Sequence, residues 1–160
     1  LSRQKLPTWD RSMFATAEGV TRGGYRVTPE GPVDVLLIAT GSEVALALTA
    51  WGRLTKEGIK AAVVSLPSVD LFEAQTAAYR ESVLPSVVQA RVVVEAGVSF
   101  GWHKYAGPWG EMVTMDRFGA SAPGEIVQEK LGFTVDNVVA SARKSLTRVV
   151  GLKTVANTNA

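Results

Sequence analysis

The sequence has no cysteine and only one histidine. Without cysteine the chain can form neither disulfides nor thiolate zinc sites, and a lone histidine cannot anchor a metal site. Long hydrophobic runs are also missing, because the longest, from Val35 to Thr40, is far shorter than the ~20 residues that a membrane-spanning helix needs. No secretory signal is visible. We therefore expect no membrane segment and no metal held by this chain.

An excess of one charge is absent too. The 160 residues include 17 Lys and Arg against 15 Asp and Glu, a net charge of +2. The sequence has neither a run of like charges nor a basic stripe interleaved with aromatic residues, so nucleic-acid binding is not expected. With 46% hydrophobic and 20% charged residues, the composition is that of one globular domain. The chain begins at Leu1 rather than Met, and we expect it to be a piece of a longer protein.

Apolar runs alternate with stretches of helical periodicity along the chain. Continuous apolar runs are typical of strands that are covered on both faces. We predict strands over 25–28, 34–39, 61–66, 91–96 and 111–115, and helices over 43–57, 74–83, 123–132 and 135–150. Strands joined by helical crossovers form a parallel sheet with helices on both faces. The first strand precedes this alternation, and we expect it antiparallel at an edge of the sheet.

Polar residues mark the expected ends of the helices. Ser42 is expected to cap the first helix, and Asp70 with Glu73 has the spacing of a capping box ahead of the second. Thr134 is expected to cap the last helix, with Phe133 and Val138 packed together as a hydrophobic staple. The helical pattern is lost over residues 151–160, and we expect this tail to fray.

One segment is similar to a hydrolase motif without completing it. Gly119-Ala120-Ser121-Ala122-Pro123 is similar to the nucleophile elbow Gly-x-Ser-x-Gly, but its last position is proline. The base would have to be His103, and the usual chain order of such a triad would be violated. We interpret the segment as a tight turn that starts a helix, and His103 as a partly exposed packing residue among neighbouring aromatic side chains.

Two features at the ends of predicted strands are candidates for binding. The turn Thr40-Gly41-Ser42 places backbone N–H groups at a helix start, where they can hold an anion or simply form a helix cap. It lacks the glycine pattern of dinucleotide-binding folds and the lysine of a P-loop. Glu95 ends a buried strand, at the sheet edge where α/β proteins commonly place active residues. These features keep open an alternative function as an anion- or nucleotide-binding regulatory module.

A series of segments resembles the C-terminal domain of transketolases and the stretch that leads into it. They follow the family's order over residues 1–148, and they favour transketolases over deoxyxylulose phosphate synthases and the β-type subunits of 2-oxoacid dehydrogenases. The segments are Leu1-Ser2-Arg3-Gln4, Leu6-Pro7, Arg22-Gly23-Gly24-Tyr25, Ile38-Ala39-Thr40-Gly41-Ser42-Glu43-Val44, Val64-Ser65-Leu66-Pro67-Ser68, Tyr79-Arg80-Glu81-Ser82-Val83-Leu84-Pro85, Val94-Glu95-Ala96-Gly97, Phe118-Gly119-Ala120-Ser121-Ala122-Pro123 and Gly132-Phe133-Thr134-Val135-Asp136-Asn137-Val138.

This resemblance implies both a fold and a function. The implied fold is a three-layer α/β/α sandwich with a mixed, mostly parallel five-stranded sheet. Residues 1–23 would be a linker from the preceding domain, 24–150 the C-terminal domain, and 151–160 a tail. The implied protein is a cytoplasmic, dimeric transferase of the pentose phosphate pathway. It moves a two-carbon ketol unit from a ketose phosphate to an aldose phosphate with the help of thiamine diphosphate.

The resemblance also implies where the chemistry takes place. In transketolases, thiamine diphosphate and a divalent metal, magnesium or calcium, lie between the N-terminal and middle domains, which would be partners of this chain. The sequence has no Gly-Asp-Gly motif followed by the spaced Asn that would hold them. We therefore expect no cofactor, no metal and no catalytic residue on this chain, and no activity from the chain alone.

One substrate contact is carried over from the family. The arginine of the Leu-Ser-Arg-Gln motif in transketolases helps to bind the substrate phosphate, and it maps to Arg3. A guanidinium group offers paired donors to phosphate oxygens, so the residue type suits this role.

Overall fold

The computed structural model describes residues 6–158, with the side chains of residues 6–152. These described residues form five strands, six α-helices and, before them, a 3-10 helix over Ala17–Arg22. The strands are β1 (Tyr25–Arg26), β2 (Val35–Ala39), β3 (Ala61–Ser65), β4 (Ala90–Val94) and β5 (Glu111–Val113). The helices are α1 (Glu43–Lys56), α2 (Val69–Glu73), α3 (Ala77–Val83), α4 (His103–Ala106), α5 (Gly124–Lys130) and α6 (Val135–Thr158).

The strands form one mixed sheet in the order β1-β3-β2-β4-β5. β2 lies at its centre, parallel to both neighbours, with Leu37 opposite Val63 on one side and opposite Val92 on the other. β1 is antiparallel to β3 at the edge, where Tyr25 lies opposite Ser65. The predicted mixed, mostly parallel five-stranded sheet with one antiparallel edge strand is therefore confirmed.

The central strands are buried on both faces, as their continuous apolar runs predict. Alternate side chains of β2 enter two separate hydrophobic clusters. Val35, Leu37 and Ala39 join the cluster under α1 and α6, whereas Leu36 and Ile38 join the cluster under α2, α3 and α4. Because side chains alternate across a strand, one sheet serves two cores, and the molecule is a three-layer α/β/α sandwich.

The second predicted helix is wrong in its bounds and in its cap. In place of one helix over 74–83 the structure has α2 and α3, and Asp70 is the second residue of α2 rather than its cap. The Ser68 hydroxyl caps α2 by accepting from the Leu71 N–H, and the Thr76 hydroxyl caps α3 by accepting from the Tyr79 N–H. The break has a local cause, because hydroxyl side chains compete with helix carbonyls for backbone N–H groups.

The last helix begins as predicted. The Thr134 hydroxyl accepts from the Asn137 N–H at 3.2 Å, and Phe133 and Val138 are both buried in the same cluster. The helix continues to Thr158, into the residues where we expected the chain to fray. The proposed division into a linker over 1–23, a domain over 24–150 and a tail over 151–160 stays a prediction.

The order of the strands creates a crevice at one edge of the sheet. The chain leaves β2 towards α1 on one face, and it leaves β4 towards α4 on the opposite face. Loops that diverge in this way from adjacent parallel strands open a crevice at their carboxyl ends, which is the usual ligand site of open α/β sheets. The carboxyl ends of β2 and β4 are therefore the candidate site.

Candidate functional site

Thr40 and Glu95 meet at the carboxyl ends of the two central strands. Ala39 and Val94, which precede them, lie opposite each other in the sheet. The Thr40 hydroxyl donates a hydrogen bond of 2.6 Å to Glu95 Oε2. Both residues were singled out from the sequence, Thr40 as part of the turn and Glu95 as the end of a strand, and the parallel pairing of β2 with β4 brings them together.

A second carboxylate lies in the same turn. Glu43, the first residue of α1, is only 7% exposed, and its Oε1 accepts a hydrogen bond of 2.7 Å from the Ser42 hydroxyl. Ser42 is the N-cap residue of α1, as predicted, but its side chain makes no capping hydrogen bond. Ser42 already has right-handed helical dihedral angles, so its hydroxyl turns to the neighbouring carboxylate and not back over the helix amides. The negative charge of Glu43 itself occupies the positive end of the helix dipole.

The surroundings of Glu95 favour its neutral form. Burial raises the pKa of Glu95 above its ordinary value, the nearby Glu43 charge raises this pKa further, and the hydrogen bond from Thr40 partly offsets both effects. The carboxylate of Glu43, together with that of Glu95 whenever it is ionised, attracts cations and protons and repels phosphates. The alternative function as an anion- or nucleotide-binding module is therefore not favoured, because the anion would have to bind beside Glu43 and Glu95.

A cavity of about 290 Å³ opens next to this turn. It lies between the start of α1 and the first described residues of the chain, and its lining includes Leu6, Trp9, Arg11, Gly41, Ser42 and Ala45. The Arg11 guanidinium lies over the Trp9 ring at 5.6 Å and donates to the Ala15 carbonyl at 2.7 Å. The chain therefore enters the domain at the carboxyl edge of the sheet. Arg3, the predicted phosphate-binding residue, lies outside the described residues.

The Arg22-Gly23-Gly24-Tyr25 segment has a packing role. Gly23 has a φ of 80°, and a Cβ at this position would lie 2.3 Å from the Phe72 backbone nitrogen. The Gly23 carbonyl accepts from the Ser68 N–H at 3.0 Å, and the Gly24 carbonyl accepts from the Tyr79 hydroxyl at 2.8 Å. Glycine is needed here because the backbone passes directly against the start of α2.

The hydrolase-like segment forms no catalytic pair. Ser121 lies in an exposed loop before α5, and His103 is an exposed residue at the start of α4. Within the described part of the chain, no hydrogen bond joins the two side chains. The aromatic neighbours of His103 do pack into the sandwich, because Tyr105 is buried and lies against Trp102 with ring centroids 5.8 Å apart.

Residues 6–152 do not fit a divalent metal. Over this range no three side chains of His, Cys, Asp or Glu lie close enough together to hold an ion. Glu43 and Glu95 form a pair without a third ligand, and their free lone pairs are partly used by Ser42 and Thr40. In the same described range, none of the helices is both long enough and apolar enough to cross a membrane.

A buried polar junction between layers was not predicted from the sequence. Ser145 of α6 is fully buried, and its hydroxyl donates to the Trp109 carbonyl at 2.7 Å and accepts from the Arg91 N–H at 3.1 Å. A signal existed in the sequence, since Ser145 falls on the apolar stripe of α6 between Ala142 and Val149. A hydroxyl on a buried stripe needs partners, although the sequence does not identify them.

The side chain of Arg91 connects further elements to β4. Its guanidinium donates to four backbone carbonyls, and burial lowers the pKa of Arg91. The carbonyls belong to Leu84, Pro85, Val88 and Tyr105. These contacts tie the end of α3 and the end of α4 to β4, so the role of Arg91 in this structure is to hold elements together.

Comparison with known proteins points to one family. A model of the family described as "Transketolase-like TK C-terminal domain" matches residues 23–134. The transketolase of Halalkalibacterium halodurans is 55% identical over 147 residues, which are 91% of this chain and 22% of that protein. The chain thus spans about a fifth of the length of this curated relative.

Solved transketolase structures have the same fold. The transketolase of Pichia stipitis, solved in complex with sedoheptulose 7-phosphate, superposes with a TM-score of 0.83 at 36% identity over 93% of this chain and 21% of that one. A structure titled as a split-gene transketolase, an inactive β4 tetramer, superposes with a TM-score of 0.63 at 25% identity, over 91% of this chain and 48% of that one. Since the family model covers most of the strands and helices described above, this chain belongs to the transketolase family and carries the family's C-terminal domain.

Proposed function

We propose that this chain is the C-terminal domain of an active transketolase. The proposed enzyme transfers a two-carbon ketol unit from a ketose phosphate to an aldose phosphate in the pentose phosphate pathway of the cytoplasm. The single observation that carries this proposal is the 55% identity to a transketolase over 91% of the chain. The complex of the Pichia stipitis enzyme with sedoheptulose 7-phosphate supports sugar phosphates as the substrate class.

The reacting centre of the proposed enzyme lies outside this domain. Thiamine diphosphate, when bound with magnesium or calcium, would supply the carbanion chemistry of the transfer. Residues 6–152 include no group of three metal-ligating side chains, and at the turn after β2 the carboxylates of Glu43 and Glu95 would disfavour a diphosphate. The N-terminal and middle domains of the enzyme, in a homodimer, would hold both groups.

Because the reacting centre would lie in other domains, the proposal predicts that this chain alone has no ketol-transfer activity. The split-gene transketolase tetramer is described as inactive, and that chain is about twice as long as the part that matches here. We expect no ketol transfer when the purified 160-residue chain is incubated with thiamine diphosphate, magnesium, xylulose 5-phosphate and ribose 5-phosphate. The full-length enzyme carrying the domain is the positive control. Steady product formation by the chain alone would contradict the proposal.

Arg3 is proposed to bind the phosphate of the substrate in the full-length enzyme. Arg3→Ala should raise the KM for phosphorylated sugars about 10- to 100-fold with little change in kcat, because a charge-assisted contact worth about 1.5–3 kcal/mol is lost. Kinetics with phosphorylated and unphosphorylated ketose donors would measure this change.

Arg11→Ala is the matched control for Arg3→Ala. Arg11 follows Arg3 in the same N-terminal segment of the sequence, and its guanidinium is already engaged by the Ala15 carbonyl and the Trp9 ring. We expect its KM values to stay within about twofold of the parent enzyme. An equal loss with phosphorylated and unphosphorylated donors in Arg3→Ala would argue against a phosphate contact.

A further inference from the structure

A cavity of about 350 Å³ lies between the 3-10 helix and the edge strand β1. Strand β3 separates β1 from β2, so this cavity is a different place from the turn after β2 where Glu43 and Glu95 lie. Its volume is at the lower end of the range of small-molecule sites, which is about 300–1,000 Å³. The polar residues of its lining include Thr16, Glu18, Thr21, Arg22, Arg26 and Tyr79.

The Arg22 guanidinium is oriented without the use of its hydrogen-bond donors. It lies over the Tyr79 ring, 4.7 Å from the centroid, and the Tyr79 hydroxyl is fixed by the Gly24 carbonyl at 2.8 Å. Within residues 6–152 the Arg22 side chain forms no hydrogen bond and no ion pair. A guanidinium that stacks on a ring keeps the N–H groups in its own plane for another partner. Arg22 therefore offers oriented and unused donors to the cavity.

Arg26 adds a second positive charge to the same lining. Its side chain is only 16% exposed, and its terminal nitrogens donate to the Pro29 and Gly31 carbonyls. Its Nε is buried and has no hydrogen-bond partner among the described residues. The carboxylate that pairs with Arg26, that of Glu30, is 3.8 Å away and 95% exposed, so water screens this pair. The positive charge of Arg26 is therefore only partly compensated.

The remaining polar groups of the lining are two hydroxyls and one carboxylate. The Thr16 hydroxyl makes no capping hydrogen bond to the 3-10 helix, and the Thr21 hydroxyl donates to the Glu18 carbonyl at 2.7 Å. The Glu18 carboxylate is exposed and forms no ion pair in the described range. Two guanidinium groups against one carboxylate give the lining a net charge of +1. Such a lining is complementary to an anion.

We propose that this cavity binds a phosphate group, either inorganic phosphate or the phosphate of a small phosphorylated molecule. Two guanidinium groups favour a dianion over a monoanion, and the fork of an arginine matches the spacing of phosphate oxygens. The wall is preformed, because a Cβ added at Gly19 would lie 2.3 Å from Tyr25 Cγ and the 3-10 helix thus packs directly on that ring. This inference does not depend on the proposed ketol transfer.

A titration of the 160-residue chain with inorganic phosphate, followed by NMR at constant ionic strength, tests the site. We expect the amide signals of residues 16–26 to shift in a saturable way, with a Kd of about 1–10 mM. Arg22→Gln should raise this Kd about tenfold or more, because a charge-assisted contact is lost. Glu18→Gln should lower it about two- to threefold, because the opposing charge is removed. No saturable shift in this segment would overturn the proposal.

Arg117→Gln is the matched control for Arg22→Gln. The Arg117 side chain also forms no hydrogen bond or ion pair within the described range, and it lies in the exposed loop after β5. Its substitution should leave the Kd unchanged, and an equal weakening in both variants would reduce the effect to net charge and overturn the site. If Arg22→Gln does not fold, as judged by the dispersion of its NMR spectrum, the sign of the change in Glu18→Gln decides.

Two further measurements identify the ligand and place the site in the enzyme. A Kd at least about fivefold lower for ribose 5-phosphate than for inorganic phosphate would identify a phosphorylated molecule as the ligand, the reverse would identify free phosphate, and an equal response to unphosphorylated ribose would overturn the proposal. In the full-length enzyme, phosphate should raise the Tm less in Arg22→Gln than in the parent. Equal increases would overturn the site in the enzyme, whereas ketol-transfer assays decide the proposed function separately.

Discussion

The Glu95 carboxyl shows how strongly the fold sets the chemistry of one residue. Its only described hydrogen bond comes from Thr40, and its other near neighbour is the buried carboxylate of Glu43. Burial and the Glu43 charge raise the pKa of Glu95, so the folded state binds a proton there more tightly than the unfolded state does. Stability must therefore depend on pH through this residue.

Glu95→Gln should make the protein relatively more stable as pH rises. Because the folded pKa is raised, the contribution of Glu95 is fully present below the ordinary glutamate pKa of about 4.3 and is lost as pH rises through the higher folded value. A glutamine keeps an acceptor for Thr40 without the charge. We expect the Tm of Glu95→Gln minus that of the parent to be smallest near pH 4 and to increase towards pH 7, in thermal denaturation of the chain.

Glu125→Gln serves as the reference for this experiment. Glu125 is exposed in the first turn of α5, away from a second buried carboxylate. Its profile measures what removal of one exposed carboxyl group does to the Tm. The increase towards pH 7 should be larger for Glu95→Gln than for Glu125→Gln, and equal profiles would mean that the crevice does not perturb Glu95.

At the scale of elements, two glycines that look alike in the sequence have opposite roles. Gly23 has a φ of 80° and lies against the backbone of α2, whereas Gly52 lies inside α1 with no atom within 4 Å of an added Cβ. Gly23→Ala should destabilise the protein by about 2 kcal/mol or more, because it adds both strain and a clash. Gly52→Ala should stabilise it by about 0.5–1 kcal/mol through helix propensity.

Urea denaturation of the two variants provides the measurement. Each variant is the control for the other, because both make the same chemical change at different backbone conformations. The midpoint should fall for Gly23→Ala and rise for Gly52→Ala, with the same slope against urea. A similar loss in both variants would show that the close contact of the 3-10 helix with α2 is not maintained in solution.

At the scale of the whole molecule, Ser145 connects three parts of the sandwich. Its hydroxyl joins α6 to β4 through the Arg91 N–H and to the loop before β5 through the Trp109 carbonyl. Ser145→Ala leaves these two backbone groups without their partner in a buried place. We expect a loss of about 1–3 kcal/mol in the free energy of unfolding, measured by urea denaturation.

Thr147→Ala tests whether this loss comes from the buried junction. Thr147 lies on the exposed side of α6, and its hydroxyl donates only to the Arg143 carbonyl one turn earlier. Its substitution should change stability by no more than about 0.5 kcal/mol. Equal effects at both positions would assign the loss of Ser145→Ala to helix propensity.

The central strands were predictable because a strand that is buried on both faces has a continuous apolar sequence. The runs that form β2, β3 and β4 are continuous in the sequence, and all but one of their fifteen residues are buried in the structure. The split between α2 and α3 was not predicted, because two short helices and one longer helix share the same apolar spacing. Two helices form here because the Ser68 and Thr76 hydroxyls accept hydrogen bonds from backbone N–H groups and so cap α2 and α3 separately.

The sequence by itself determined the alternation of strands and helices, the fold class and the resemblance to transketolases. Each of these depends on the order and type of residues along the chain. Only the tertiary structure decided that Thr40 meets Glu95 and that Glu43 is buried beside them. These features depend on strand order and on where loops leave the sheet. The physical reason is that proximity between distant residues arises from packing, which local pattern does not encode.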